Sequence, residues 1–272
     1  MQYKVLALDL DGTLTNNAKV ITPRTKAALQ AAANRGVRIV LASGRPPWAL
    51  SRLPKSWSWT AAAAASCSYN GGKIIDCKTG ETLVQYEFPP ELIDPVCTFA
   101  RYWNVMPLTY DAKGIVTEDA ANPYVGEEAR INKIPARQVE NLPAEIQWPI
   151  NKLLLVGDPV DMPHVEELMQ QKFAGKLSIY RSAPFFIETM PLGVEKSASL
   201  ALLLKNMGLG PENLMACGDG WNDLPMIRYA GMGVAMGNAV PEVKQAAKYV
   251  TADNEHDGVG LAVEKFILED PQ

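Results

Sequence analysis

The chain has 272 residues, 47% of them hydrophobic, enough to bury a sizeable core in one large domain or two of ordinary size. Its 26 Lys and Arg against 30 Asp and Glu leave a formal charge of −4, and no stretch interleaves basic with aromatic residues, so a nucleic-acid partner is not expected. The longest apolar runs, such as 61–65 and 200–204, fall far short of a bilayer span, and Cys67, Cys77, Cys97 and Cys217 lack metal-ligand spacing. With an N-terminus that begins directly on a strand-like run, this reads as a cytoplasmic chain with no membrane partner.

Residues 3–8 form an unbroken apolar run, as in a parallel strand buried on both faces, and the acidic segment Asp9-Leu10-Asp11-Gly12-Thr13 follows at its C-terminal end. Thr22-Pro23 supplies an N-cap and first-turn proline for a helix through 27–33, Gly36 ends it, and 37–42 is the next strand. That is a β-α-β unit. A third strand falls within 61–68, followed by the turn Asn70-Gly71-Gly72 and a short run at 73–76.

The pattern then changes. Phe88-Pro89-Pro90 through Pro95 marks a boundary, after which the order is helix (about 91–103), strand (105–110) and strand (115–118). A polar, proline-containing stretch at 120–147 interrupts it, and the order partly repeats as strand 152–156, helix 160–173 and strands 177–180 and 185–189. This predicts a small α+β layer. After Pro191 the β-α-β rhythm returns: helix 196–207, strand 213–217, helix 222–230, strand 232–235, helix 241–247, strand 248–251 and a last helix from Gly258. One α/β domain is thus split by an inserted one.

Ligands of open α/β sheets bind at the C-terminal strand edge, where Asp9 and Asp11 stand. One carboxylate can attack phosphorus while the other handles the proton of the leaving group. A calcium loop starting at Asp9 would need glycine where Leu14 stands and glutamate where Val20 stands, so that reading fails. Gly218-Asp219-Gly220-Trp221-Asn222-Asp223 follows another buried strand and brings two more acids to the same edge. A hard divalent cation, Mg²⁺ above all, relieves such crowding. A phosphate dianion still needs donors and positive charge, which Ser43 with the Gly44 amide and Lys196 at a helix start can supply. Taken singly, the loops also read as turns or caps, Ser43 as a cap and Lys196 as a solvated lysine. Only the set points to phosphate chemistry.

These segments, Asp9 to Thr13, Ser43-Gly44-Arg45, Lys196, and Gly218-Asp219 with Asn222-Asp223, resemble in kind and order the haloacid dehalogenase superfamily of aspartate-nucleophile phosphotransferases. The Tyr69-Asn70-Gly71-Gly72 turn, the Gly193-Val194-Glu195-Lys196 approach and Asp257-Gly258-Val259 resemble its Cof-type sugar-phosphatase branch. The resemblance implies a Rossmann-like three-layer core with a parallel sheet, formed by 1–83 and 188–272, and an inserted α+β cap at 84–187 that selects the substrate. It implies an aspartyl-phosphate on Asp9, with Asp11 protonating the leaving oxygen and then activating water. Mg²⁺ would be held by Asp9, the Asp11 carbonyl and Asp219, with Asp223 in or just behind the shell; Asn222, Ser43 and Lys196 would contact phosphate. Ser43 stands where threonine is frequent and Glu195 where a small polar residue is common.

Arg45, Trp48 and Asn70 follow strands whose ends face the cleft and are further candidates for substrate contact. His164 and His256 read as surface or capping residues, and Cys217 as a small buried side chain. The expected activity is hydrolysis of a small phosphorylated metabolite by a monomer or small homo-oligomer. The rivals are a phosphomutase with the same core, which would return an isomeric phosphate, and a non-catalytic sensor that binds a phosphometabolite without turning it over.

Overall fold

The computed structural model of the protein describes residues 2–44, 63–76 and 79–269. β1 (Val5–Leu8) is buried throughout, as its composition requires of a strand covered on both faces. Helix α1 (Pro23–Asn34) starts where the Thr22 side chain accepts from the Thr25 amide and Pro23 presets the first turn. It stops where Gly36 takes φ +84° and the Gly36 and Val37 amides turn back to the Ala33 and Ala32 carbonyls. β2 (Arg38–Ala42), β3 (Ala63–Ser68), β4 (Lys73–Asp76) and β5 (Thr82–Gln85) follow, β5 being a strand without a sequence signal of its own.

Next come α2 (Pro90–Tyr102), β6 (Met106–Tyr110), β7 (Ile115–Thr117), α3 (Pro123–Asn132), β8 (Ala136–Gln138) and α4 (Leu142–Glu145). They are followed by β9 (Leu153–Val156), α5 (Met162–Lys172), β10 (Leu177–Ala183) and β11 (Phe186–Pro191). The chain then runs through α6 (Lys196–Asn206), β12 (Leu214–Gly218), α7 (Leu224–Tyr229), β13 (Met232–Ala235), α8 (Pro241–Ala246), β14 (Tyr249–Val250) and α9 (Gly258–Val263). It forms two compact units, Met1–Val84 with Glu195–Gln272, and Gln85–Val194.

In the first unit an eight-stranded sheet has the order β14-β13-β12-β1-β2-β3-β4-β5 among the described residues. β1 pairs parallel with both β12 and β2. The chain winds outward from β1 through β2 and β3 on one side and returns to β12, β13 and β14 on the other, so the order reverses between β1 and β12. Loops leaving two such strands diverge and open a crevice at their C-terminal ends. The register Leu8↔Cys217 puts the loops after both strands level with each other. Helices α1 and α9 pack together, as do α6 with α7 and α7 with α8.

In the second unit a six-stranded sheet of order β10-β11-β9-β6-β7-β8 is antiparallel except for β7 with β8. Leu153, Leu155 and Ile187 join Val96, Phe99, Met169 and other apolar residues in its core. Strand alternation turns Glu188, paired in register with Leu154, away from Ile187. Buried there, Glu188 accepts from Lys152 Nζ at 2.8 Å and from Ser182 Oγ at 2.9 Å.

Helix α2 starts at Pro90 and contains Pro95, as the expected helix of about 91–103 does. One expectation needs correction. Residues 120–147, expected to interrupt the order, hold α3, β8 and α4. Asn122 caps α3 and Pro123 opens it, but two of its three buried residues are Glu128 and Asn132. An apolar period therefore could not reveal it. Glu128 accepts from Tyr110 and, at 2.6 Å, from Asn132 Nδ2.

Removing one charge of the buried Lys152–Glu188 pair strands the other. Lys152→Met is expected to lower stability by about 3–5 kcal/mol, and Lys152→Met with Glu188→Leu to recover most of it. Chemical denaturation of the three variants and the parent measures this; a double variant no better than the single would contradict it.

Candidate active site

Asp9 directly follows β1, its amide still bonded to the Cys217 carbonyl at 3.1 Å, and its side chain is buried. The neighbouring loop approaches through Gly12, whose φ is +81°; a Cβ there would lie 2.4 Å from Asp219 Oδ2. Glycine is needed both for the turn and for the space. Thr13 Oγ1 donates to Asp219 Oδ1 at 2.6 Å, the Val240 amide donates to the Asp219 carbonyl at 3.0 Å, and Asn238 Nδ2 donates to the Gly12 carbonyl at 2.8 Å.

Asp223 organises the second acidic loop. Its Oδ2 accepts the Asp219 and Gly220 amides, both at 2.9 Å, and its Oδ1 accepts from Lys196 Nζ at 2.6 Å. The same ammonium donates to Asp9 Oδ1 at 2.6 Å. Lys196 is fully buried at the first position of α6, where the helix dipole disfavours a cation. The two carboxylates offset that cost and the cost of burial, holding the ammonium above the ordinary lysine range.

Burial, followed by the Asp223 charge, pushes the Asp9 carboxyl well above the usual carboxylate range, against the pull of Lys196. Burial and Asp223 likewise push Asp219 up to about 7, against the Thr13 hydrogen bond. Asp9, Asp219 and Asp223 each present an oxygen within 4.8 Å of the others. Two unit charges at that separation repel by about 3 kcal/mol at an effective dielectric near 20. One ammonium cannot balance three carboxylates. The all-oxygen, anionic donor set fits a hard divalent cation rather than zinc or copper.

The structure gathers Asp9, Lys196, Asp219 and Asp223 directly. The Asp11 carboxylate stands outside this group, partly exposed and paired with Lys19 Nζ at 2.6 Å. Ser43 is buried, and its carbonyl accepts the Asn70 amide at 3.0 Å. Asn70 Oδ1 accepts from Asn222 Nδ2 at 3.0 Å, and a Cβ on Gly44 would come within 3.2 Å of the Asn70 side chain. Arg45 and Trp48 lie outside the described residues. His164 and His256 are exposed, the latter bonded to Asp253. Burial pushes the Cys217 thiol up to about 12, which leaves it unreactive.

Two residues that are not among the sequence candidates pin these loops: Asn238 on Gly12, and Asn254 Nδ2 on the Thr15 carbonyl at 3.0 Å. Each lies beyond a strand of the central sheet, a position that marks cleft residues, but an asparagine there reads equally as a turn former.

A family model described as haloacid dehalogenase-like hydrolase matches residues 6–263. A solved haloacid dehalogenase-like hydrolase from Bacteroides thetaiotaomicron is 41% identical with a TM-score of 0.86, the match covering 98% of this chain and 100% of that one. A solved sugar phosphatase of haloacid dehalogenase subclass IIB is 25% identical with a TM-score of 0.83, over 97% of this chain and 98% of that one. The 5-amino-6-(5-phospho-D-ribitylamino)uracil phosphatase YcsE of Bacillus subtilis is 29% identical over 268 residues, 98% of this chain and 97% of its own length.

Because Asp219 titrates at about 7 when folded against an ordinary 3.8, the cation-free fold is most stable below about pH 4 as far as this group decides. That contribution is lost as pH rises through about 7. A divalent cation replaces the proton, so the rise in melting temperature on adding Mg²⁺ should grow by several degrees between about pH 5 and about pH 8, at about 2–4 °C per kcal/mol. Thermal scans read this directly; an equal rise at both pH values would contradict it.

Proposed function

This chain belongs to the haloacid dehalogenase-like hydrolase family, and on that premise we propose that it is a Mg²⁺-dependent phosphatase that moves the phosphoryl group of a small phosphate monoester, a sugar phosphate above all, onto Asp9. The observation that carries the reading is the Lys196 ammonium shared by Asp9 and Asp223 beyond the C-terminal ends of β1 and β12. A structural lysine has no need to enter a buried acid cluster from the unfavourable end of a helix. A lysine that neutralises an incoming phosphoryl group does.

In the proposed reaction an Asp9 oxygen attacks phosphorus as the bond to the ester oxygen breaks, and Asp11 gives that oxygen its proton. Water then passes a proton to Asp11 and attacks phosphorus, the Asp9–phosphorus bond breaks, and inorganic phosphate leaves with both aspartates restored. Ser43, Gly44 and Asn222 would hold the remaining phosphoryl oxygens. Mg²⁺, bound by Asp9, Asp219 and Asp223 with the Asp11 carbonyl, would supply the positive charge that lets a phosphate dianion enter among carboxylates. The substrate class follows the relatives: one is named a sugar phosphatase and another acts on a phosphoribityl compound, both esters of a polyhydroxylated carbon chain. The acid loops recognise only the phosphoryl group, so residues 85–194 are assigned the role of the cap that selects the rest of the molecule.

Asp9→Asn keeps the shape of the side chain and removes the nucleophile. Phosphate release from p-nitrophenyl phosphate or a sugar-phosphate panel should fall at least about 1,000-fold with the melting temperature kept or raised. Release at the parental rate would remove Asp9 from the role. Chelation with EDTA should abolish turnover and added Mg²⁺ restore it; turnover indifferent to both would exclude the metal.

A further inference from the structure

β12 and β3 are three positions apart in the sheet, on either side of β1 and β2, which at about 4.8 Å per strand separates them by about 14 Å. The segments that follow them nevertheless meet, through the hydrogen bond from Asn222 Nδ2 to Asn70 Oδ1. The turn carrying Asn70 is forced into place. Tyr69 and Asn70 have φ of +50° and +51°, and Gly71 has φ of +101°. A Cβ on Gly71 would lie 2.5 Å from Ser199 Oγ and 2.7 Å from the Glu195 carbonyl, and Ser199 Oγ donates to the Gly71 carbonyl at 2.7 Å. Two consecutive non-glycine residues in the left-handed region are costly and persist only where their surroundings impose them.

These bonds close a circuit. Lys196 joins Asp9 to Asp223, Asn222 beside Asp223 reaches Asn70, and Gly71 beside Asn70 returns through Ser199 to the helix of Lys196. The Asn70 backbone N–H also donates to the Ser43 carbonyl. Within this ring Asn70 Nδ2 is fully buried and has no hydrogen-bond partner among the described residues. A buried donor without an acceptor calls for a ligand that supplies one.

We propose that Asn70 clasps the Ser43 loop to Asn222 and that its Nδ2 donates to an oxygen of the phosphate group bound at the acid cluster. The inference rests on the phosphatase reading and deepens it. Asn70→Gly keeps the left-handed turn and the backbone bond to Ser43 and deletes the side-chain amide, whereas Asn70→Asp keeps an oxygen toward Asn222 and replaces the donor by an acceptor. With p-nitrophenyl phosphate, kcat should fall about 10–100-fold in Asn70→Gly and further in Asn70→Asp, KM changing several-fold less, with melting temperatures near the parent's. Orthophosphate binding in the presence of Mg²⁺, followed by calorimetry, should weaken about 10-fold or more in Asn70→Gly. A folded Asn70→Gly with parental kcat and orthophosphate affinity would overturn the proposal. Should that variant not fold, Asn222→Ala opens the same clasp, and parental kcat there would overturn it equally. A parent that binds orthophosphate but hydrolyses no ester, with binding lost in Asn70→Gly, would uphold Asn70 and overturn the phosphatase reading; a parent that does neither overturns both.

Discussion

The first unit is organised around one ammonium group. Lys196 Nζ lies 2.6 Å from both Asp9 and Asp223, which are 187 and 27 residues away in the chain. Carboxylates packed this closely and shielded from water would repel one another or take up protons. The lysine lets them stay together, and they in turn keep a buried cation at a helix start. Neither partner is tolerable there without the other, so three distant segments are bound to one arrangement.

The rest of the site follows from how closely backbone can approach that cluster. Gly12 admits Asp219, and Gly71 lets the turn after β3 sit against the start of α6; a methyl group at either position would occupy space already filled. Backbone amides and side-chain amides then do the orienting. Asp223 takes two amides of its own loop, Asn238 and Asn254 pin the loop after β1, and Asn222 with Asn70 spans the strand ends. Such short contacts leave the carboxylates little freedom, as phosphoryl transfer by positioning requires.

The second unit follows other rules. One face of its sheet carries an ordinary apolar core, while buried charges and amides, Lys152 with Glu188 and Glu128 with Tyr110 and Asn132, hold other parts together. Pairs of this kind contribute direction more than net stability. They also explain why an apolar pattern followed five of the six strands and the two long helices here but passed over α3, whose inward face is largely polar.

Apart from β5, the sequence alone determined the described elements of the first unit, because strands buried on both faces are written as unbroken apolar runs and helix ends as Thr-Pro and glycine. It also singled out Asp9, Lys196, Asp219 and Asp223 as candidates for the chemistry, since each stands at a strand end or a helix start. What it left open was which acids pack against which cations. Two residues apart in the chain, Asp9 and Asp11 nonetheless separate, one inward to Lys196 and the other outward to Lys19. Asp223, equally legible as a helix cap, becomes a partner of Lys196. Asn70, an ordinary turn residue on paper, becomes the link between two strand ends. These distinctions depend on the winding of the sheet, the register of β1 with β12 and the seat of α6, which bring together side chains that no local pattern relates.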